Sequence, residues 1–212
     1  MALTYNPNRF AVQDFDEARA IILTPEPGRT TDERWEQETP YLAELIGRNL
    51  ALKTDDLILD YGCGVGRIAK ELIERFGVRV LGVDISADMR ALSPGYVASH
   101  RFSAVSPEIF RAMLESGLKV DGALAVWVLQ HIFEPQAEID RLYDALKSGS
   151  RFALVNGFFR AVPAIEQNWV NDGIDIAAAV GSKLSLVERG DLDPAYVGEV
   201  RNRLSYWAIY QR

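Results

Sequence analysis

The chain has 212 residues, of which 48% are hydrophobic and 25% are charged, and its formal net charge at pH 7 is -7. This length and apolar content fit one folded α/β domain with a real core, and they argue against a disordered chain. The longest uninterrupted apolar stretch covers 123–129, far fewer than the roughly 20 residues that span a bilayer. We therefore expect no membrane-embedded segment.

Charge and cysteine content bear on partners and compartment. No segment contains the basic run that a nucleic-acid backbone or an anionic membrane surface attracts, so we expect neither partner. The first ten residues lack a basic start followed by an apolar run, so no secretory signal is expected. Cys63 is the only cysteine, which excludes an intramolecular disulfide and a multi-cysteine zinc site. These features favour a cytoplasmic protein and leave its oligomeric state open.

The N-terminal quarter of the chain divides into two parts. Residues 1–30 are rich in Asn, Pro, Thr and Gly and predict a mostly irregular arm. Residues 31–52 predict a helix with one apolar side, despite Pro40.

Beyond the arm, strand and helix patterns alternate. Short apolar or β-branched runs predict strands at 57–59, 78–83, 123–128, 152–155 and 184–187. Residues 134–146 predict a helix, because Pro135 stands near its start and Gly149 follows its end. Such alternation predicts βαβ units and a mainly parallel sheet. We expect a single domain over 1–212, in which an arm and helix (1–52) cap a core (53–212).

The most informative stretch runs from 57 to 86, LILDYGCGVGRIAKELIERFGVRVLGVDIS. A buried strand is predicted to end at Asp60, glycines alternate at 62, 64 and 66, and a helix begins near the last of them. Glycines let the backbone turn sharply and approach a ligand without a Cβ in the way. The next strand ends in Asp84, and in a right-handed βαβ unit both strand ends open onto one edge of the sheet. A carboxylate there can accept hydrogen bonds from both vicinal hydroxyls of a ribose.

The glycine spacing separates two classes of nucleoside cofactor. The dinucleotide fingerprint G-x-G-x-x-G needs a glycine at position 67, where this chain has Arg67. The observed pattern is Asp60-x-Gly62-x-Gly64-x-Gly66. Together with the distal Asp84, it resembles the first motif and the acidic second strand of the class I S-adenosylmethionine-dependent methyltransferases.

The resemblance covers roughly residues 35–212. It implies a Rossmann-like α/β fold with a mainly parallel seven-stranded sheet, a C-terminal antiparallel hairpin and helices on both faces. In this chain it predicts a short helix after Asp84 that stops at Ser93-Pro94-Gly95 and a third strand around 99–102. It also predicts a fourth strand within 121–131, and a closing hairpin from 184–188 and 204–211.

The resemblance also implies a cofactor and a chemistry. The expected reaction is in-line transfer of a methyl group from S-adenosylmethionine, leaving S-adenosylhomocysteine, to an O, N, S or C atom of a small molecule or peptide. No metal is expected, since no acidic residue lies between Asp121 and Glu134. The implied cofactor-binding residues are Asp60, Gly62, Cys63, Gly64, Gly66, Asp84, Ile85, Ser103, Ala104, Val126 and Trp127.

Each expected role has a structural alternative. Asp60 is expected to place the methionine ammonium and Asp84 the ribose, whereas capping of a loop or helix is the alternative for both. Ser103 stands where many relatives carry an adenine-binding Asp near the end of strand three. Cys63 is expected to be a small loop residue rather than a nucleophile. For Trp127, packing and a place in the cofactor pocket are equal alternatives.

The expected catalytic and substrate-binding residues rest on position alone. His131 follows strand four and can take a proton from a substrate hydroxyl or amine, or it can be bonded structurally to the backbone. Substrate contacts are expected from Tyr5, Arg9, Trp35 and Asn156, for which packing is the alternative. Two other functions stay open: an S-adenosylmethionine-binding protein without catalysis, and a nicotinamide-dependent oxidoreductase.

Overall fold

The structure is a computed structural model that describes residues 4–26 and 28–212. Its helices are α1 (Phe15–Ile22), α2 (Thr31–Leu50), α3 (Arg67–Phe76), α4 (Ala87–Val97), α5 (Pro107–Glu115), α6 (Pro135–Ala145), α7 (Ile176–Gly181) and α8 (Pro194–Leu204). Its strands are β1 (Leu57–Tyr61), β2 (Arg79–Val83), β3 (Phe102–Val105), β4 (Val120–Val126), β5 (Leu146–Gly157), β6 (Val162–Pro163), β7 (Trp169–Val170), β8 (Ser185–Asp191) and β9 (Ser205–Gln211). Short 3-10 turns cover Pro7–Phe10 and Leu129–His131.

Seven strands form one sheet in the order β3-β2-β1-β4-β5-β9-β8. Strands β1 to β5 pair in parallel, and β9 runs antiparallel to both β5 and β8. This confirms the predicted sheet and its antiparallel end. Helix α8, which is interrupted at Gly198 by a non-helical φ of 79°, connects β8 to β9, so the two strands pair without a tight turn between them.

Helices cover both faces of the sheet, because strand side chains alternate between the faces. Leu59 and Tyr61 of β1 belong to the core layer that includes Phe110 of α5 and Leu142 of α6. Ile58 belongs to the opposite layer, which packs against α2, α3 and α8. By the same alternation Asp60 lies on the α2 and α3 face, at the carboxyl end of its strand.

Helix α2 confirms the predicted helix across Pro40. Its start is fixed by a capping box, in which the Thr30 hydroxyl accepts from the Glu33 backbone N–H at 3.2 Å and the Glu33 carboxylate accepts from the Thr30 N–H at 2.7 Å. No helix in residues 4–26 and 28–212 is long and apolar enough to cross a membrane.

The arm is more ordered than its composition predicts. Helix α1 occupies Phe15–Ile22, and its N-cap Asp14 accepts from the backbone N–H of Glu17 at 2.9 Å. The Glu17 carboxylate in turn accepts from the backbone N–H of Gln13 at 2.9 Å. Asp at the N-cap with Glu three residues later is a sequence signal for a helix start, so the prediction of a mostly irregular arm was wrong over these residues.

The predicted helix stop at Ser93-Pro94-Gly95 was also wrong, because α4 continues to Val97. Proline at 94 cannot donate to the carbonyl of Arg90, but the Ser93 hydroxyl donates to that oxygen at 3.0 Å. Helix α4 ends instead at Ala98, in the left-handed conformation. As a result β3 begins at Phe102, later than the predicted start at 99.

Strand β4 ends at Val126, five residues before the predicted limit at His131. The cause is Trp127, whose φ of 55° takes the chain out of the extended conformation. Its backbone N–H donates to Val155 at 2.7 Å, and its indole N–H donates to the Ser205 hydroxyl at 3.1 Å. These contacts hold a residue in a backbone region that is unfavourable for tryptophan, beside the site described next.

Candidate active-site cavity

A cavity of about 990 Å³ opens at the carboxyl ends of β1, β2 and β4. Its volume lies at the upper end of the range for small-molecule sites. Eleven of the residues predicted for the site line it: Tyr5, Arg9, Asp60, Gly62, Cys63, Gly64, Asp84, Ile85, Val126, Trp127 and His131. Five others do not line it: Trp35, Gly66, Ser103, Ala104 and Asn156.

The glycine-rich loop turns directly from β1 into α3. The backbone N–H groups of Gly62 and Cys63 both donate to the carbonyl of Val83, at 2.7 and 3.1 Å, and so anchor the loop to β2. Gly62 has φ of 78°, and a Cβ built on it would lie 2.2 Å from Cγ2 of Val128. Glycine is therefore required there by both conformation and space. Gly66, at the N-cap of α3, helps to form the turn without reaching the cavity.

Asp84 ties the loop to the next βα connection. Its Oδ2 accepts from the Gly64 backbone N–H at 2.7 Å, and its Oδ1 accepts from the Ser86 backbone N–H at 2.8 Å. Burial raises the pKa of Asp84 above its usual value, and these two hydrogen bonds only partly oppose that rise. The N-cap of α4 is Ser86, whose hydroxyl accepts from Met89, so Asp84 is not the capping residue of that helix.

Asp60 is a buried carboxylate that faces the cavity. Among the described residues it has no hydrogen-bond donor, so it does not cap the glycine loop. Burial and the nearby charge of Asp84 raise the pKa of Asp60 to about 7, and Arg67 opposes that rise. A buried carboxylate without a donor is costly unless a cation or a donor binds to it.

Arg67 stands where a dinucleotide site would have its third glycine. Its side chain is buried and donates to the Thr39 hydroxyl at 3.1 Å, and it lies 5.7 Å from the ring of Trp35. Burial lowers the pKa of Arg67 to about 10. The chain therefore places a large cationic side chain where a dinucleotide fold needs close helix packing.

His131 lines the cavity from the end of the 3-10 turn that follows β4. Its Nδ1 is 2.6 Å from the carbonyl oxygen of Ala161, and its Nε2 is 3.1 Å from the amide nitrogen of Gln130. Because a carbonyl can only accept, Nδ1 carries the proton. Burial lowers the pKa of His131, and the cations Arg160 and Arg201 lower it further. The imidazole is thus neutral at pH 7.

The arm closes one side of the cavity. Tyr5 forms a backbone bridge with Ala164, and its ring stacks on Phe133 at a centroid distance of 5.9 Å. Arg9 donates to the side chain of Asn168. Helix α1 contributes Ile22, whose Cδ1 would lie 2.9 Å from a Cβ on Gly64. The apolar end of α1 therefore packs against the glycine-rich loop.

The predicted site residues outside the lining have structural partners or face elsewhere. Asn156 is fully buried, accepts from the Gln130 backbone at 3.2 Å and donates to the Gly157 carbonyl at 2.9 Å. The indole N–H of Trp35 donates to the Tyr96 hydroxyl at 3.2 Å. Ser103 is exposed on the edge strand β3.

The end of β3 reaches the cavity edge later than the sequence suggests. The backbone N–H of Asp84 donates to Val105 at 3.2 Å, which aligns Val105 with the end of β2. The next residues in the chain, Pro107 and Glu108, line the cavity. A strand predicted around 99–102 could not place them there.

Sequence reasoning also missed several residues that shape the cavity. Tyr61 donates to the Glu138 carboxylate, and both residues line the cavity. Buried Arg160 donates to the carbonyls of Leu129 and Ile132 and pairs with Asp172 at 3.0 Å, which fixes the turn that carries His131. For these residues the sequence offers one signal: side chains alternate along β1, so Tyr61 lies on the same face of the sheet as Leu59. Within the described ranges, no three His, Cys, Asp or Glu side chains cluster as metal ligands do.

The strand order reverses between β1 and β4, and the cavity lies at the carboxyl ends of these strands, which is where open α/β sheets bind ligands. The chain belongs to the methyltransferase domain family, since the sequence profile described as "Methyltransferase domain" matches residues 34–177, more than half of the chain.

Individual relatives are distant. The chain is 29% identical over 141 residues to N-demethylindolmycin N-methyltransferase of Streptomyces griseus, covering 60% of this chain and 56% of the relative. It is 32% identical over 111 residues to an S-adenosyl-L-methionine-dependent Diels-Alderase of Talaromyces variabilis, covering 50% of this chain and 38% of the relative. The aligned region thus spans about half or less of these two relatives.

Solved structures share the fold. Geranyl diphosphate C-methyltransferase from Streptomyces coelicolor A3(2), in complex with Mg²⁺, geranyl diphosphate and S-adenosyl-L-homocysteine, superimposes with a TM-score of 0.65 at 17% identity. The match covers 90% of this chain and 88% of that one. It confirms the predicted Rossmann-like architecture.

Proposed function

We propose that this protein is an S-adenosylmethionine-dependent methyltransferase that acts on a small molecule. One observation carries the proposal: a single cavity contains the glycine-rich loop, the Asp84 carboxylate bonded to it, and the buried Asp60 carboxylate without a donor. Membership of the methyltransferase domain family supports it.

The residues present fit the cofactor. Each Asp84 oxygen accepts one backbone hydrogen bond, which leaves it capacity to accept another from a ribose hydroxyl. Asp60 matches the cationic ammonium of the methionine part, because a bound cation would compensate its buried charge. Exposed Ile85 and the Val105–Glu108 stretch flank the Asp84 side, where an adenine would lie, while Ser103 faces away.

S-adenosylmethionine supplies, when bound, a methyl group that is already activated by its sulfonium. The protein then needs mainly to align the acceptor and exclude water. The arm residues Tyr5 and Ile22 cover the cavity, and the Arg160-bonded turn positions the acceptor side. The proposal also includes three expectations from the sequence: the protein acts in the cytoplasm, it has no nucleic-acid partner, and the transfer needs no metal.

A second function is favoured by a specific observation, since one relative is named as an S-adenosyl-L-methionine-dependent Diels-Alderase. A protein of that kind would keep the cofactor cavity and consume no methyl donor. The two functions differ in one readout, the conversion of S-adenosylmethionine into S-adenosylhomocysteine.

The test is a calorimetric titration of the protein with S-adenosylmethionine, S-adenosylhomocysteine and NADH, followed by product analysis with a panel of small hydroxyl, amine and thiol acceptors. We expect saturable binding of the first two ligands with a Kd of micromolar order, about -8 kcal/mol. Formation of S-adenosylhomocysteine only when an acceptor is present would establish transfer. Binding of NADH alone would overturn the proposal in favour of an oxidoreductase.

A further inference from the structure

The acceptor end of the cavity is walled by aromatic rings. The rings of His131, Phe10 and Trp169 pack against one another, with centroids 5.9 Å apart for Phe10 and His131, 5.2 Å for His131 and Trp169, and 6.3 Å for Phe10 and Trp169. The stacked pair Tyr5 and Phe133 continues the wall. Phe133 and Trp169 remain 40% and 47% exposed, so large aromatic faces are uncovered at the cavity rim. Flat conjugated rings pack well against such faces.

A single polar pair interrupts this wall. The Gln130 side-chain oxygen accepts from the Gly157 backbone N–H at 2.5 Å, which turns the Gln130 amide nitrogen toward His131. The Ala161 carbonyl accepts a hydrogen bond from the N–H at Nδ1. Nε2 therefore carries a lone pair, and in the structure the Gln130 N–H is its donor at 3.1 Å. A substrate O–H that replaces this donor would point its proton at Nε2.

The charges around this pair disfavour a cationic acceptor. The carboxylates Glu134 and Glu138 line the same cavity, but the charged groups that act on His131 itself are the cations Arg160 and Arg201. Their carboxylate partners, Asp172 at 3.0 Å and Glu26 at 2.6 Å, are already engaged in those ion pairs. An ammonium group would have to be desolvated beside like charge, whereas a neutral hydroxyl would not.

We propose, resting on the methyl transfer proposed above, that the acceptor is a planar aromatic hydroxyl compound and that Nε2 of His131 receives its proton. The acceptor oxygen forms a bond to the methyl carbon as the carbon–sulfur bond breaks, and that electron pair stays on sulfur. The hydroxyl proton moves to Nε2, giving an imidazolium that later releases it to solvent. Gln130 is a positioning residue, because its amide N–H holds the free imidazole until the acceptor hydroxyl replaces it, and Gln130 takes no proton.

Three probes of similar size test the acceptor class: 2-naphthol, the cationic 2-naphthylmethylamine and the saturated decahydro-2-naphthol. Each is titrated into the protein saturated with S-adenosylhomocysteine and assayed for turnover with S-adenosylmethionine. We expect 2-naphthol to bind most tightly and to be methylated. Preferred turnover of the amine or of the saturated alcohol, or turnover of none by a protein that binds the cofactor, would overturn the inference. Absence of cofactor binding would instead refute the proposed function.

Two substitutions test the proton acceptor with 2-naphthol. His131→Gln should lower kcat by about 100-fold or more while cofactor affinity is unchanged. Gln130→Glu keeps the oxygen that accepts from Gly157 but puts a carboxylate beside Nε2, so the acid limb of the pH profile of kcat/KM should move up by about one unit.

The matched control is His100→Gln, because His100 is the other histidine of the chain and is exposed. It should leave kcat and the pH profile unchanged. A His131→Gln variant within about threefold of the wild-type kcat would show that no proton is taken by this residue. If the acid limb does not shift in Gln130→Glu, Gln130 does not position the imidazole of His131.

Discussion

The backbone N–H of Gly64 donates a 2.7 Å hydrogen bond to Oδ2 of Asp84. This bond joins the loop after β1 to the end of β2, so the two elements that would hold the sugar and the amino-acid part of the cofactor move as one unit. Asp84 therefore has two tasks, to fix the loop and to offer its remaining lone pairs to the cavity. A carboxamide or an alanine at 84 would weaken both.

The glycine-rich loop should not tolerate a side chain at Gly62. Gly62→Ala adds left-handed strain and a clash with Val128, whereas Gly149→Ala, at φ of 79° in β5, adds the strain with no atom within 4 Å. Both variants should lose about 1–2 kcal/mol of unfolding free energy from strain. Only Gly62→Ala should lose further stability and bind S-adenosylmethionine about tenfold or more weakly. Urea unfolding and calorimetry measure the two effects, and equal behaviour of the variants would contradict the loop's role.

Removal of the buried charge at Asp60 should stabilise the free protein and impair binding. The folded-state pKa of about 7 lies above the unfolded value of 3.8, so this group's contribution to unfolding free energy is full below about pH 4 and is lost as pH rises through 7. At a pH above 7, Asp60→Asn should therefore unfold at a higher midpoint temperature than wild type. Near pH 4 the two midpoint temperatures should be equal. The exposed Asp144→Asn on α6 is the control and should do neither.

The same carboxylate should make cofactor binding depend on pH. A cationic ammonium needs ionised Asp60, so the affinity for S-adenosylhomocysteine should fall about tenfold per unit as pH drops below about 7. Calorimetry between pH 5.5 and 8 with wild type and Asp60→Asn measures it. The variant should bind weakly and show a flat profile, and a flat wild-type profile would mean that Asp60 does not meet the ammonium.

Two ion pairs of helix α2 should differ greatly in how much they contribute to the free energy of unfolding. The side chains of Arg34 and Glu38 are 1% and 0% exposed and 2.6 Å apart, whereas those of Arg48 and Glu44 are 76% and 38% exposed. Glu38→Gln leaves the buried Arg34 guanidinium with Glu26, at 3.4 Å, as its remaining carboxylate partner and should cost about 3 kcal/mol of unfolding free energy. Glu44→Gln should cost about 0.5 kcal/mol or less, because water screens the exposed pair. Similar costs in urea unfolding would contradict the burial argument.

The strand-and-helix order and the cofactor side of the cavity could be predicted from the sequence because they depend on local signals. The apolar pattern of β1 and β2, the spacing of the glycines and the acidic residue after β2 can all be recognised within one stretch of 30 residues. Loop, Asp60 and Asp84 meet as the parallel βαβ unit requires.

The acceptor side could not be predicted, because it is built by contacts far apart in the chain. His131 takes its tautomer from Ala161 and its orientation from Gln130, which is itself held by Gly157. Local rules also failed where a side chain replaced a missing backbone bond, as Ser93 does before Pro94. The strain at Trp127 depends on Val155 and Ser205, neither of which is near it in sequence.

The proposed contact between Asp84 and the ribose of S-adenosylmethionine is tested by comparing the affinities of three proteins. S-adenosylmethionine is titrated into wild type, Asp84→Ala and the control Asp144→Ala, after thermal melts have shown that all three are folded. Loss of charge-assisted hydrogen bonds costs about 1.5–3 kcal/mol, so Asp84→Ala should bind roughly ten- to hundredfold more weakly than the other two. Equal affinities in all three proteins would show that Asp84 does not hold the ribose. No binding by folded wild type would show that S-adenosylmethionine is not the cofactor.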